Sequence, residues 1–552
     1  MTPFRSSFAN DLFRHKYAHE GAQTWKELAW LLARHVCEGL LPQSRVEQIA
    51  RYIELMWFIP GGRYLYYAGR PNPFFNNCYI FISQEDSRED WAYLSWKAER
   101  ALMTGGGIGN DYSIYRPEGS VIKRTGGLAS GPVSKMLMVN EIGRHVMQGG
   151  SRRSALYASL KWQHPDARKL LHVKDWDNQP VGNTGLTVGD LKRADFNFAA
   201  PLDMTNVSLN YDTEWLESVN RLGWDHAPIF RDHVEMALRN GEPGWSFNFY
   251  EKEKETGRNA CTEVTSADDS DVCNLGSLNL SRIPSLSHFS EVVSAATDFL
   301  LCGTLRAKLP YDEVYKVRER NRRLGLGLMG VHEWLLARGY RYEVVPELHD
   351  WLAVYRDVSD VTAAETAFDL GISEPVAKRA IAPTGTIGIM AGTTTGIEPL
   401  FAVAYKRRYL VNGTQWKYQY VVDSTARIIA EQYGIDPRDM ETALDLAADP
   451  ERRIKFQYDV QKYVDMGISS TINLPAWGSE LNNPDRVPEF AALIAKYAHG
   501  LRGLTVYPDG ARGGQPLVPV DYDLAVANEG EVFEERSHDV CDITGKGGVC
   551  GI

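Results

Sequence analysis

Between Trp25 and about Phe58 the apolar residues recur at helical spacing, with Leu28, Leu31, Leu32 and Val36 followed by Ile49, Ile53 and Met56. This predicts two or more amphipathic helices, broken near residues 39–43, in a small N-terminal helical domain. Pro60-Gly61-Gly62-Arg63 is a turn signal, and residues 64–68 (YLYYA) then read as a short strand. Further along the pattern shortens. Residues 78–82 are an apolar strand entered through Asn76-Asn77-Cys78, and residues 196–200 followed by 204–210 alternate polar and apolar as a half-buried strand does. Another strand follows the 241–245 turn, and residues 275–280, 467–475 and 503–510 are further strand or strand-and-turn units. The polar run 83–90 (SQEDSRED) predicts a helix beginning after it with Ser or Asp as cap. Strand and helix signals alternating over this length predict an α/β architecture. Beyond Val518 the chain turns acidic and loses its period, as a mobile tail would.

The candidate chemistry concentrates in residues 259–280, NACTEVTSADDSDVCNLGSLNL, which hold two cysteines twelve positions apart. If Asn259 to Glu263 is extended, its period-2 alternation sets Asn259, Cys261 and Glu263 on one face, so that an amide, a thiol and a carboxylate converge on one small molecule. A lone cysteine is equally a small core hydrophobe, because exposure and low pKa make a thiol reactive. Three glycine-rich, basic or hydroxyl-bearing stretches have the composition of anion-binding loops: 123–132 with Lys123 and Arg124, 149–155 with Arg152 and Arg153, and 382–387 with Thr384, Gly385 and Thr386, followed by 392–400. Ordinary surface turns share that composition. His164 reads as a structural residue at a helix start, and Lys406-Arg407-Arg408 as a solvated basic edge. Gly325-Leu-Gly-Leu-Met-Gly330 matches GxGxxG, but the charged residues 317–323 precede it where a buried strand is required, so a dinucleotide-binding turn is rejected.

Composition narrows the class. At 552 residues the chain exceeds a usual single domain, and 44% hydrophobic with 24% charged residues describes a globular protein. The net charge of −11 argues against non-specific nucleic-acid binding. Seven cysteines without framework spacing point to a reducing compartment. With no apolar run near membrane length and no secretory leader pattern, the reading is a cytoplasmic protein with no membrane partner. The chain ends CDITGKGGVCGI, a C-x8-C pair (Cys541 and Cys550) on a glycine-rich end that suits a swinging dithiol. Zinc is the weaker reading because His538 leaves only three obvious ligands, and no metal site is expected.

The N-x-C-x-E pattern with the following C-N-L-G-S-x-N-L run resembles the finger loop and next strand of ribonucleotide reductase catalytic chains. The resemblance extends through the Asn-Cys strand entry at Cys78, W-x-H-P-D at 162–166, N-R-R-x-G-L-G-x-M-G at 321–330 and the 382–400 loops. It implies a ten-stranded α/β barrel with a central finger loop over residues 76–520, the helical domain over 1–75, and a flexible redox tail over 521–552. Only 77 residues precede Cys78, which implies that no ATP cone precedes the helical domain. On this resemblance Cys261 carries a thiyl radical, Glu263 accepts the 3′-hydroxyl proton and Asn259 orients the sugar. Cys78 and Cys273 are the redox pair, reset by Cys541 and Cys550. Thr384, Gly385 and Thr386 meet the substrate phosphates; Asp86, Ser87, Lys123, Arg124, Arg152 and Arg153 belong to a deoxynucleotide effector site.

The radical source separates the classes. Subunits that receive it from a metalloprotein partner have a Tyr-Tyr pair near the final barrel strand. Here Thr505-Val-Tyr-Pro-Asp-Gly-Ala-Arg-Gly-Gly-Gln515 offers Tyr507 followed by proline, which resembles the adenosylcobalamin-dependent class. The expectation is therefore a cobalamin-dependent reductase of ribonucleoside di- or triphosphates, with a ribonucleotide substrate, a deoxynucleotide effector and a thioredoxin- or glutaredoxin-like reductant. A homodimer stays open. The rivals are the large subunit of a two-component reductase and a non-catalytic nucleotide-binding relative; the intact Cys78, Asn259, Cys261, Glu263 and Cys273 argue against the latter.

Overall fold

The structure is a computed structural model that describes residues 3–123, 126–146, 154–195, 197–411, 415–511 and 517–533; of residues 408–411 and 415–416 it describes the backbone alone. The N-terminal helices form as the periodicity predicts. Trp25–Cys37 begins at a Thr24–Glu27 capping box and buries Leu28, Leu32 and Val36. Gln43–Glu54 packs against it, with Trp25 Nε1 donating to the Ile53 carbonyl at 3.0 Å. These helices are not a separate lobe. Their core runs without a break into the long barrel helix Leu286–Arg306, and Phe58–Pro60 pairs antiparallel with Gly276–Leu278.

The strand expected at 64–68 is instead the helix Gly62–Tyr67. Five apolar residues cannot distinguish the two periods. Gly61 N–H bonds the Leu275 carbonyl at 2.7 Å and turns the chain so that Tyr64 stacks on Phe75 (ring centroids 4.6 Å apart).

The expected barrel is present. Strands Cys78–Ile82, Gly107–Asp111, Leu156–Lys161, Thr205–Tyr211 and Gly244–Phe247 run parallel in that order. A second parallel set starts with Asp271–Asn279 and Leu324–Met329. Residues 379–381 continue it, bridged to Leu326 on one side and to Ile468 on the other, and it ends with Thr471–Leu474 and Gly503–Pro508. The two sets meet antiparallel at both seams, Cys78–Ile82 against Asp271–Asn279 and Gly503–Pro508 against Gly244–Phe247. Among the described residues this closes a ring of ten strands.

Thr205–Tyr211 differs from the half-buried expectation, since only Asn206 is exposed. Its apolar residues Val207 and Leu209 join the core under the outer helices. Its polar residues turn inward, where Asn210 Nδ2 donates to Ser159 Oγ at 3.0 Å. Polar alternation here marks the inside of a filled barrel. Residues 197–200, expected to share that strand, form no regular structure. Gly325 and Gly327 lie in a buried strand after a charged helix, Asp312–Asn321, as the rejection of a dinucleotide turn requires. A Cβ on Gly325 would sit 2.3 Å from Leu275 Cδ2, and one on Gly327 2.7 Å from the Ala380 carbonyl.

The acidic end begins later than expected. Leu517–Pro519 and Val532–Phe533 flank the hairpin Ala404–Val411/Gln415–Val422, so 517–533 belong to a second, four-stranded sheet and only residues beyond 533 lie outside the described part. The acids are used: Asp521 caps the helix Tyr522–Ala527, Asp523 pairs with Arg438 and Glu529 with Arg427. Arg407, read as a solvated edge, lies 3.6 Å over the Phe8 ring.

The finger runs inside the ring as a two-stranded hairpin, Gly257–Arg258 with Thr265–Ser266. Gly109 makes this possible, because a Cβ there would lie 2.0 Å from the Arg258 carbonyl oxygen. Gly109→Ala is expected to lower the unfolding free energy by about 1–3 kcal/mol through overpacking against backbone that cannot move aside. Denaturant titration of the two proteins checks this.

Candidate active site

The tip of the hairpin, residues 259–264, is a turn and not the extended pentapeptide that strict alternation assumed. Thr262 N–H donates to the Asn259 carbonyl (3.1 Å) and Thr262 takes a left-handed φ of 69°. Cys261 and Glu263 still face one cavity. Asn259 turns elsewhere: its Oδ1 accepts from Val264 N–H (3.0 Å) and its Nδ2 donates to Cys78 Sγ (3.3 Å), so one buried amide closes the loop and ties it to a barrel thiol. Both halves of the barrel grip the tip. Asn206 Nδ2 donates to the Ala260 carbonyl (3.0 Å) from one side, and Gly467 N–H to the Glu263 carbonyl (2.7 Å) from the other. Gly467 is required there, since a Cβ would approach the Thr262 carbonyl oxygen to 2.8 Å.

The register of the seam sets Cys78 directly opposite Cys273 on adjacent antiparallel strands. Opposed residues on such a pair bring their Cβ atoms to about 4.5–5.5 Å, close to the separation that a disulfide requires. Neither is in a disulfide, and nor is Cys261. Their exposure is graded: Cys261 is partly exposed, Cys78 is 7% exposed and Cys273 1%. Burial pushes the Cys273 thiol well up, with Cys78, Glu263 and Asp271 adding to it and Arg323 opposing. It is therefore held protonated. Beneath it Arg323 Nε meets Asp271 at 2.9 Å, and Ser266 Oγ and Asn321 Nδ2 complete that carboxylate's bonds. Cys37 and Cys302 pack against each other in the N-terminal core and take no part in the cavity.

Glu263 is fully buried, and neither carboxylate oxygen has a hydrogen bond of normal geometry among the described residues. Burial raises its pKa to about 7, with the Asn259 amide partly offsetting. A buried carboxyl poised near neutrality and without a partner is suited to exchange a proton with a bound molecule.

The cavity, its open mouth included, spans about 890 Å³ and joins the two candidate clusters. Cys78, Cys261 and Glu263 line one end; Thr384, Gly385 and Thr386 line another. Thr384 is left-handed (φ 50°), and its Oγ1 accepts from Gly396 N–H at 2.8 Å, locking the two Gly/Thr loops together. The later loop serves structure: Thr393 Oγ1 donates to the buried Glu333 at 2.6 Å. Tyr17, Gly61 and Gly62 also line the cavity; no pattern in the sequence marked Tyr17, and the two glycines had read only as a turn.

Asp86 and Ser87 line a different cavity of about 720 Å³, with Tyr115 and Arg116, and Asp86 pairs with Arg116 at 2.6 Å. Ser87 caps the helix Arg88–Leu102. Lys123 is exposed beside Ile122, which lines that cavity. His164 is structural, its Nε2 on the Tyr115 carbonyl (2.8 Å) ahead of the helix Ala167–His172. Arg124, Arg152, Arg153, Cys541 and Cys550 lie outside the described residues. Among the described residues no cluster of His, Cys, Asp and Glu could hold a metal ion, and no helix is long and apolar enough to cross a membrane.

Residues 76–348 and 377–507 match the family model described as "Ribonucleotide reductase, barrel domain". The chain is 27% identical over 521 residues to the "Vitamin B12-dependent ribonucleoside-diphosphate reductase" of Mycobacterium tuberculosis strain CDC 1551, covering 85% of this chain and 73% of the relative. It is 26% identical over 552 residues to the protein of the same name from Thermoplasma acidophilum, covering 89% and 68%. Among solved structures, the "Actinobacillus ureae class Id ribonucleotide reductase alpha subunit" superposes with a TM-score of 0.70 at 17% identity, over 92% of this chain and 97% of that one, a likeness of fold.

Glu263 gives the site a pH signature. Its folded pKa of about 7 stands above the ordinary 4.5, so the fold favours the protonated form. The resulting cost is absent below the unfolded value, grows as pH rises between the two, and is complete above the folded one. Glu263→Gln removes the charge, and its stability relative to the unaltered chain should improve by about 2–3 kcal/mol between pH 5 and pH 8, checked by unfolding at both pH values.

Proposed function

The chain belongs to the ribonucleotide reductase family, and from that premise we propose that it reduces ribonucleoside di- or triphosphates to 2′-deoxyribonucleotides by a thiyl-radical route that depends on adenosylcobalamin. The observation that carries this reading is the meeting, in one cavity, of a partly exposed finger thiol, a buried carboxyl without a partner and the rim of a cross-strand dithiol.

In this reading the substrate ribose lies against the finger tip. Cys261 Sγ, as a thiyl, takes the 3′ hydrogen atom, while Glu263 takes the 3′-hydroxyl proton, which its elevated pKa lets it hold and return. The 2′-hydroxyl leaves as water. Cys78 and Cys273 supply two electrons and two protons and become a disulfide, and Cys261 gives its hydrogen atom back to C3′. The sum is ribonucleotide plus dithiol to deoxyribonucleotide, disulfide and water. Asn259 orients the reacting groups, with a grip on Cys78 as its support. Thr384, Gly385 and Thr386 receive the phosphates. Cys541 and Cys550 reset the disulfide, themselves reduced by a thioredoxin- or glutaredoxin-like protein.

Adenosylcobalamin fits this site on three grounds. Cys261 opens to the cavity; Gly61, Gly62, Gly105 and Gly107 present bare backbone beside it; and the strand Gly503–Pro508 carries Tyr507 followed by Pro508 in place of a tyrosine pair. When bound, the cofactor supplies the radical by homolysis of its cobalt–carbon bond. The two-component reading, with a metalloprotein partner, is disfavoured by that strand and by the names of the relatives.

The Asp86–Ser87 cavity is proposed as the deoxynucleotide effector site, with Lys123, Arg124, Arg152 and Arg153 contributing charge. The helix forming one wall also exposes a stacked Tyr93–Trp96 pair, 45% and 42% exposed, which supports a homodimer across that face.

An anaerobic assay with ribonucleotide, dithiol and adenosylcobalamin is expected to yield deoxyribonucleotide and a cob(II)alamin–thiyl signal, and neither without the cofactor. Cys261→Ser should lose both, falling at least a thousandfold in turnover. Turnover retained in that variant would move the radical to another residue.

A further inference from the structure

The substrate proposed above carries at least two negative charges on its phosphates, and no lysine or arginine is among the described residues that line the cavity. A cation beside the Thr384–Thr386 loop comes from the N-terminal segment, which sequence patterns had left unassigned. Lys16 Nζ lies 3.4 Å from Thr386 Oγ1, at the phosphate end of the cavity. The next residue, Tyr17, is buried and forms part of the cavity wall, with its hydroxyl 2.9 Å from where a Cβ on Gly62 would stand.

This placement is braced along the segment. Arg5 donates to Glu333 Oε1 (2.6 Å) and to the Gly392 carbonyl (2.9 Å), at the far end of the short helix Gly385–Ala391 that follows Thr384. Arg282 ties the Pro3 carbonyl (3.1 Å) to the Ala391 carbonyl (2.8 Å). Phe13 is buried against Phe4 and Trp25. Residues 3–17 thus meet the helix Gly385–Ala391 at its start, through Lys16, and brace its far end, and Lys16 is exposed.

We propose that Lys16 is a substrate-binding residue: its ammonium joins the Thr384–Thr386 loop in holding the substrate phosphates, with Tyr17 closing the wall beside it. The inference rests on the nucleotide-reductase reading and deepens it. Lys16 contributes to affinity for the phosphates and not to the chemistry at the ribose. A single charge-assisted contact at a half-open site corresponds to roughly tenfold in affinity.

The test is equilibrium dialysis of CDP, CTP and cytidine with the full chain, its Lys16→Ala and Lys16→Arg variants, and far-UV circular dichroism to show that all three fold alike. Lys16→Ala should weaken the better-bound nucleotide roughly tenfold, leave cytidine unchanged, and lose most of that effect in 0.5 M salt; Lys16→Arg should stay within about threefold of the unaltered chain. In turnover the alanine variant should raise KM with kcat within about twofold. Nucleotide binding unchanged in Lys16→Ala, or weakened equally for cytidine, overturns the role of Lys16 while the reductase reading stands. Failure of the unaltered chain to bind either nucleotide overturns both.

Discussion

The structure depends on a hairpin enclosed by a sheet that closes on itself. A loop buried in this way must satisfy its backbone from its surroundings, and each half of the barrel supplies one such bond to the tip, from Asn206 and from Gly467. The approach is so close that Gly109 and Gly467 leave no room for a Cβ. Cys261 is therefore located by the closure of ten strands and not by any preference of its own turn. Asn259 extends the constraint across the seam, because its amide bonds both the loop and Cys78. One amide thus links the finger loop to the strand that carries Cys78.

Electrostatics follow from that enclosure. Removing Glu263 and Cys273 from water raises both pKa values, so the site rests with its acid near neutrality and its deeper thiol protonated. Fixed charge is kept one layer back, where Asp271 and Arg323 neutralise each other with Ser266 and Asn321 completing the hydrogen bonds. Among the described residues that line the cavity there is no lysine or arginine. The N-terminal segment places Lys16 beside Thr386 from outside the barrel.

Much of this was legible in the chain, for identifiable reasons. Helical spacing found the N-terminal helices, and the charged stretch before Gly325 correctly argued against a dinucleotide turn. Motif similarity singled out Cys78 and Cys273 before any register could show that they oppose each other. Local pattern failed where tertiary context decides. Residues 64–68 are too few to separate the two periods, and Gly61 commits them to a helix. Polar alternation in 205–211 meant barrel interior instead of solvent. The acidic stretch after Val518 looked unstructured because its partners, Arg427 and Arg438, lie about a hundred residues away in sequence. Asn259 and Cys261 part company because residues 259–262 form a turn, closed by Thr262 N–H on the Asn259 carbonyl, and not the extended run that strict alternation assumes. Lys16 and Tyr17 gave no signal, since a lysine and a tyrosine at a helix end are ordinary.

The central claim is that a radical at the finger thiol is coupled to the dithiol at the seam. The most direct measurement is a single turnover without external reductant, followed by rapid alkylation and peptide mapping. The account predicts one Cys78–Cys273 disulfide for each deoxyribonucleotide formed, with Cys261 recovered as a free thiol. Deoxyribonucleotide formed while Cys78 and Cys273 remain reduced, or with Cys261 consumed in the disulfide, would contradict it.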